Sequence, residues 1–169
     1  MANKRCFFVV GPEGSGTYMM AEALVEAGCF YIPEELDSDF DKVVSLTKEQ
    51  DIVIRRSIPH RGEFIDLYTI ASVAKNAGYD VQAIAIFREP NATALSVRNR
   101  NGTPQHFAIR NMIGAMTCIS ELDTGFSVLP ITYEAVVGSY EFTKWLFNYL
   151  ELSYPHNYVF YDGNEKYYE

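Results

Sequence analysis

Short runs of apolar residues punctuate the chain at Cys6–Val10, Ile52–Ile54 and Val81–Phe87. They are rich in β-branched and aromatic residues and lack strict polar alternation. That is the pattern of strands buried on both faces. Strands are therefore predicted over residues 5–10, 51–56 and 81–87, with a fourth over 126–132. Between them the apolar period becomes helical. Met19, Met20, Ala23, Leu24 and Ala27 predict a helix over 15–27 that stops at Gly28. Phe64, Leu67, Ile70, Ala71 and Ala74 predict another over 63–76. Pro90 suits the first turn of a helix that Asn101-Gly102-Thr103-Pro104 ends. Phe107, Ile109, Met112, Ile113, Met116 and Ile119 predict a longer one over 104–122. A last helix over 140–150 is expected to turn Phe142, Trp145, Leu146 and Tyr149 inward. Residues 33–50 are mixed and acidic and read as loop with one short helical turn, and residues 153–169 as an irregular aromatic tail.

Strands alternating with helices over short connections predict an α/β fold of three layers. Its mainly parallel central sheet would have about four to five strands and helices on both faces. The whole chain, 1–169, reads as one domain. In such sheets ligands bind beyond the carboxyl ends of the strands. The rule gathers three connections at one edge: Gly11–Thr17, Arg56–Arg61 and the turn at Arg88.

The first connection carries the clearest chemistry. Gly11-Pro12-Glu13-Gly14-Ser15-Gly16-Thr17-Tyr18 joins a strand to a helix. Its glycines allow the backbone to approach an anion, and the helix N-terminus adds N–H donors and positive potential. The spacing Gly11-x4-Gly16 has the outline of a phosphate-binding P-loop, but Thr17 stands where the lysine of that motif is usual. At the third connection Arg88 ends a strand, and Ser96 lies eight residues on in the next helix. A guanidinium fork and a hydroxyl so placed can clasp a phosphate from two sides.

Composition narrows the ligand. The net charge is −8 and the pI about 4.9, which argues against a nucleic-acid or anionic-membrane surface. No run reaches the ~20 apolar residues of a membrane span. Arginines cluster instead near turns (Arg55, Arg56 and Arg61, then Arg88, Arg98 and Arg100), as suits a small anion. Three cysteines without metal or C-x-x-C spacing suggest reduced thiols in a cytoplasmic protein, with no metal site.

Together these motifs resemble the sulfotransferases that use 3′-phosphoadenosine 5′-phosphosulfate (PAPS, leaving PAP). Ser15-Gly16-Thr17 is similar to the family's phosphosulfate loop. Arg88 and Ser96 have the spacing of its 3′-phosphate pair, and Leu129–Glu134 looks like its Tyr-Glu segment. The resemblance implies donor binding by Gly11, Gly14, Ser15, Gly16, Thr17, Tyr18, Arg88 and Ser96. It implies sulfuryl transfer to a hydroxyl or amine of a small-molecule or carbohydrate acceptor. The family's loop lysine is replaced by Gly14, preceded by Glu13, so another cation must act. Arg55, Arg56 and Arg61 are the candidates, and Arg56 is favoured. His60 is the first choice of base by role and region, with Glu63 the runner-up and His106 and His156 weaker. The family's carboxy-terminal Arg-Lys-Gly loop is absent. Asn164 and Lys166 are placed to close over the donor, though an aromatic cap is the preferred reading of the tail. Residues 33–50 and 100–110 are left to form the acceptor pocket. Two other readings stand beside this one: a non-catalytic nucleotide-binding protein with a degenerate P-loop, and a P-loop kinase. The sequence leaves a homodimer open.

Overall fold

A computed structural model describes residues 4–36, 39–47, 50–60 and 62–164. Arg61 and Lys166 lie outside the described residues. The strands are β1 (Arg5–Pro12), β2 (Phe30–Tyr31), β3 (Ile52–Ile58), β4 (Asp80–Phe87) and β5 (Val128–Thr132). The helices are α1 (Thr17–Glu26), α2 (Phe40–Thr47), α3 (Leu67–Asn76), α4 (Pro90–Asn101), α5 (Gln105–Asp123), α6 (Tyr133–Gly138) and α7 (Tyr140–Tyr149). The five strands form one parallel sheet in the order β2-β3-β1-β4-β5.

Each face of β1 feeds a separate core, which is why its sequence is apolar without alternation. Cys6, Phe8 and Val10 pack with residues of α3 and α5, and Phe7 and Val9 with residues of α1 and α7. The chain leaves β1 towards β2 and β3 on one side and returns to β4 on the other. The crevice of the sheet therefore opens above the carboxyl end of β1, where the glycine-rich turn begins.

Several boundaries differ from the sequence pattern. Residues 33–50 hold a 3₁₀ turn at Glu34–Leu36 and all of α2. The acids had hidden one buried position, Val43, and Thr47, whose hydroxyl meets Tyr79 Oη at 2.8 Å. The two residues of β2 are too few to show a period. Of the residues expected inside on α7, Leu146 is fully buried and Phe142 packs on the core, but Trp145 and Tyr149 are 49% and 57% exposed, and Phe147 takes a core position that the pattern did not mark. On α5 the large residues Phe107, Ile113 and Met116 are exposed while Ala108 and Ala115 are buried. Ala108 meets Ala94 and Val97 of α4, so close packing has selected small side chains there.

Helix α3 starts four residues later than its apolar pattern suggests, because Asp66 caps it. Its carboxylate accepts from Thr69 N at 2.9 Å and Thr69 Oγ1 at 2.6 Å. These bonds, the Thr69 hydroxyl first, hold the Asp66 carboxyl below its ordinary value. Asp66→Ala is expected to cost about 1 kcal/mol at neutral pH. A carboxyl depressed in the folded state contributes above its unfolded value and loses that contribution as pH falls. The gap between the urea midpoints of wild type and variant should therefore shrink below about pH 4. A gap of constant size down to pH 2 would assign the effect to something other than the charged cap.

Candidate functional site

The glycine-rich turn closes with Ser15 N donating to Pro12 O at 3.0 Å. Gly14 and Gly16 have φ of 85° and 103°, the left-handed region that a side chain resists. Helix α1 then starts at Thr17 with no side-chain cap. Its first N–H groups, with their share of the helix dipole, face the crevice as an anion site. Ser15 is fully buried, yet its Oγ has no hydrogen-bond partner among the described residues. Buried hydroxyls without a partner are uncommon in folded proteins.

One wall comes from β3, where side chains alternate between the two faces. Arg55 and Ser57 share the face of Val53, on the α1 side, and Arg56 shares the face of Ile54 and Ile58, on the α3 side. Ser57 Oγ meets Thr17 Oγ1 at 2.9 Å and accepts from Arg55 Nη1 at 3.1 Å. Arg55 Nη2 lies 3.5 Å from Glu34 Oε1, and the other oxygen of Glu34 lies 3.0 Å from His60 Nε2. Thr17, Ser57, Arg55, Glu34 and His60 thus form one continuous polar chain. Tyr18 is exposed, with the Arg55 guanidinium 5.8 Å from its ring centre.

Arg56, the arginine favoured by the sequence, is 3% exposed and donates to Arg55 O. Burial pulls its guanidinium below the ordinary value, and the nearby Glu34 and Glu35 oppose that pull. Arg55, not Arg56, is the arginine that the structure brings to Thr17. The linking acid, Glu34, went unnoticed in the sequence because it sits far away in an acidic stretch. Glu63 is exposed and meets His60 only through paired backbone bonds.

The opposite wall is built by the start of α4 and the tail. Arg88 Nη1 donates to Gly14 O at 3.2 Å, and its guanidinium lies 4.5 Å from the centre of the Tyr133 ring. Arg88 Nε donates to Asn164 Oδ1 at 2.6 Å. Asn164 Nδ2 in turn donates to Glu134 Oε1 at 3.1 Å, and the Tyr133 hydroxyl accepts from Gly163 N at 2.7 Å. A Cβ built on Gly14 would lie 3.4 Å from Ser96 Cβ and 3.3 Å from Thr93 O. Arg88 and Ser96 therefore both reach the turn at Gly14. Upstream in the tail, Tyr154, Tyr158 and Phe160 pack on the α1–α7 core, so the tail is both an aromatic cap and a clasp on Arg88. Glu13, an acid beside an anion site, is drawn away by Asn101 Nδ2 at 2.7 Å and Arg100 Nη1 at 3.8 Å.

No protein-family model matches the sequence, and no curated protein matches it closely enough to be a relative. Among solved structures, mouse sulfotransferase SULT7A1 complexed with PAP superposes with a TM-score of 0.61 at 20% identity. The match covers 90% of this chain but spans only 61% of the length of that sulfotransferase. A gluconokinase from Sinorhizobium meliloti 1021 matches with a TM-score of 0.46 at 13% identity, over 78% of this chain and 84% of its own. A dephospho-CoA kinase from Campylobacter jejuni matches with a TM-score of 0.35 at 14% identity, over 88% and 96%. The fold is of the P-loop type.

Within that fold the turn at Gly11–Thr17 joins β1 to α1, and Gly14 in it has a constrained backbone. Its left-handed φ resists a side chain, and a Cβ there would make tight contacts of 3.3 Å with Thr93 O and Val97 Cγ2 of α4. Arg55 is linked to this turn through Ser57 and Thr17 on one wall, and Arg88 through Gly14 O on the other. Among the described residues no helix is long and apolar enough to cross a membrane, and no three acidic, histidine or cysteine side chains cluster as metal ligands.

Proposed function

We propose that the protein binds 3′-phosphoadenosine 5′-phosphosulfate across the P-loop and the Arg88–Ser96 wall. On this reading it transfers the sulfuryl group to a hydroxyl or amine of a small-molecule or carbohydrate acceptor, in a cytoplasmic setting. The convergence of Arg88 and Ser96 on Gly14 carries the reading, because it makes one continuous site from two separate anion-binding segments. The donor supplies an activated sulfuryl group. The protein supplies position and charge, the main sources of catalysis in such transfers. Backbone N–H groups of Gly14–Tyr18 and the Ser15 hydroxyl hold the sulfate end. Arg55 supports the charge that grows on the bridging oxygen, in place of a loop lysine. Its Nε is buried with no partner among the described residues, so a donor remains for that purpose. His60, its Nε2 held by Glu34, keeps Nδ1 as the acceptor for the proton of the attacking group. The acceptor's oxygen or nitrogen bonds to sulfur as the bridging sulfur–oxygen bond breaks, and PAP leaves.

The non-catalytic reading is supported by one observation: Arg55 is already shared with Glu34. Two measurements separate the readings. Calorimetry is expected to give PAP an affinity at least about tenfold above that of adenosine 5′-phosphate, since one phosphate contact of this kind contributes about 1.5–3 kcal/mol. No binding, or equal affinities, would remove the proposal. Transfer of label from ³⁵S-PAPS to a panel of phenols, amines and sugars is expected for the enzyme. Tight PAP binding without any transfer would leave the non-catalytic reading.

A further inference from the structure

The outer face of α1 carries a groove of about 340 Å³ that neither wall of the P-loop uses. Tyr18, Ala21, Glu22, Val25 and Glu26 line it from α1, Tyr31 from β2 and Tyr158 from the tail. Its volume lies within the range of small-molecule sites. The lining holds three phenol rings and two carboxylates, and no basic side chain. We infer that this groove binds an organic ammonium cation, with its charge against Glu22 and Glu26 and its apolar body against the tyrosines.

The argument rests on charge complementarity and on ring chemistry. Glu22 and Glu26 stand one helical turn apart on the same face, where like charges repel unless a cation lies between them. Tyr158 Oη donates to Glu22 Oε2 at 3.2 Å, which ties the half-buried carboxylate to a ring that lines the groove. The hydrogen bond and charge of Glu22 hold the Tyr18 hydroxyl above its ordinary value. Burial and then the same charge do so for Tyr158. The groove is thus negative as well as aromatic. Phenol faces attract cations, most strongly where water is partly excluded. Arg55 stands over the Tyr18 ring but is paired with Glu34 and does not line the groove. Tyr18 directly follows Thr17, so the groove borders the P-loop. That position suits the charged end of an acceptor, a role that rests on the sulfuryl-transfer reading; the binding itself does not.

Tyramine and its uncharged counterpart 4-ethylphenol are suitable probes of the full chain by calorimetry. Tyramine is expected to bind at least tenfold more tightly than 4-ethylphenol. Glu22→Gln is expected to cut tyramine affinity at least tenfold; its amide oxygen can still accept from Tyr158, so the groove keeps its shape. Glu26→Gln, at an exposed position, is expected to cut it less, and PAP affinity should stay unchanged in both variants. Absence of tyramine binding, equal affinity for the two probes, or an unchanged tyramine affinity in both variants would overturn the inference. PAP titration of the same samples reports on the P-loop reading separately, so either can fail alone.

Discussion

Arg88→Ala is expected to weaken PAP binding on the order of 100-fold while changing adenosine 5′-phosphate binding by less than about threefold. A guanidinium that meets a phosphate with two charge-assisted hydrogen bonds contributes about 3 kcal/mol or more, and every 1.4 kcal/mol is tenfold in affinity. The contrast between the two nucleotides matters more than either loss. Arg88 also ties Gly14 O to Asn164 and lies over Tyr133, so its removal loosens the turn and the tail as well. General loosening weakens both nucleotides alike. Loss of a 3′-phosphate contact weakens only the one that carries that phosphate. Arg88→Lys sharpens the comparison: it keeps the charge and loses the fork, and should fall between wild type and alanine. Calorimetry with both nucleotides on all three proteins decides the matter, and equal losses for PAP and adenosine 5′-phosphate would remove Arg88 from the proposed role.

The core of the site was legible in the sequence because it is local. The apolar run before Gly11, the glycine spacing and the helix after Thr17 fix a strand–turn–helix unit whatever the rest of the chain does. Arg88 and Ser96 were legible for the same reason: one ends a strand and the other lies on the next helix, and parallel topology carries both to the same edge. They meet at Gly14, whose left-handed φ favours glycine.

Other parts were hidden by physics rather than by oversight. Strand β3 is buried on both faces, so its sequence gives no clue to which of Arg55 and Arg56 faces α1. Only the register against β1, with Val9 beside Arg55 and Val10 beside Arg56, decides it. Glu34 joins Arg55 to His60 across two elements, and Asn164 reaches Arg88 from the tail; neither link has a sequence period. On α5 and α7 the apolar pattern marked the core only in part: Ile119 and Leu146 are buried, whereas Phe107, Ile113, Met116, Trp145 and Tyr149 are exposed. Helix α5 meets α4 through Ala108 and the main core through Ala115, Ile119 and Leu122, and α7 turns Trp145 and Tyr149 outward, where they stack on each other with ring centres 5.4 Å apart. Periodicity ranks faces by hydrophobicity, whereas close packing ranks them by fit.

The glycine-rich turn depends on the close approach of β1 to β4, and one methyl group tests that dependence. A Cβ on Gly11 would lie 2.3 Å from Ile86 O and 2.5 Å from Ser15 Oγ. Ile86 O belongs to the backbone of β4, which is held between β1 and β5 and cannot yield without disturbing both pairings. Gly11→Ala is therefore expected to cost about 3 kcal/mol or more, at the upper end of overpacking effects. Gly138→Ala is the control. That glycine lies at the end of α6 with no atom within 4 Å of a built Cβ and with no left-handed φ, so alanine there should be neutral or stabilise by up to about 1 kcal/mol. Urea denaturation of the two variants beside wild type checks both values. The Gly11 variant should also lose PAP affinity under conditions where it is still folded, because a displaced atom is Ser15 Oγ, in the glycine-rich turn proposed to hold the donor. If Gly11→Ala costs no more than Gly138→Ala, then β1 and β4 are further apart than described and the narrow P-loop crevice built on them is wrong.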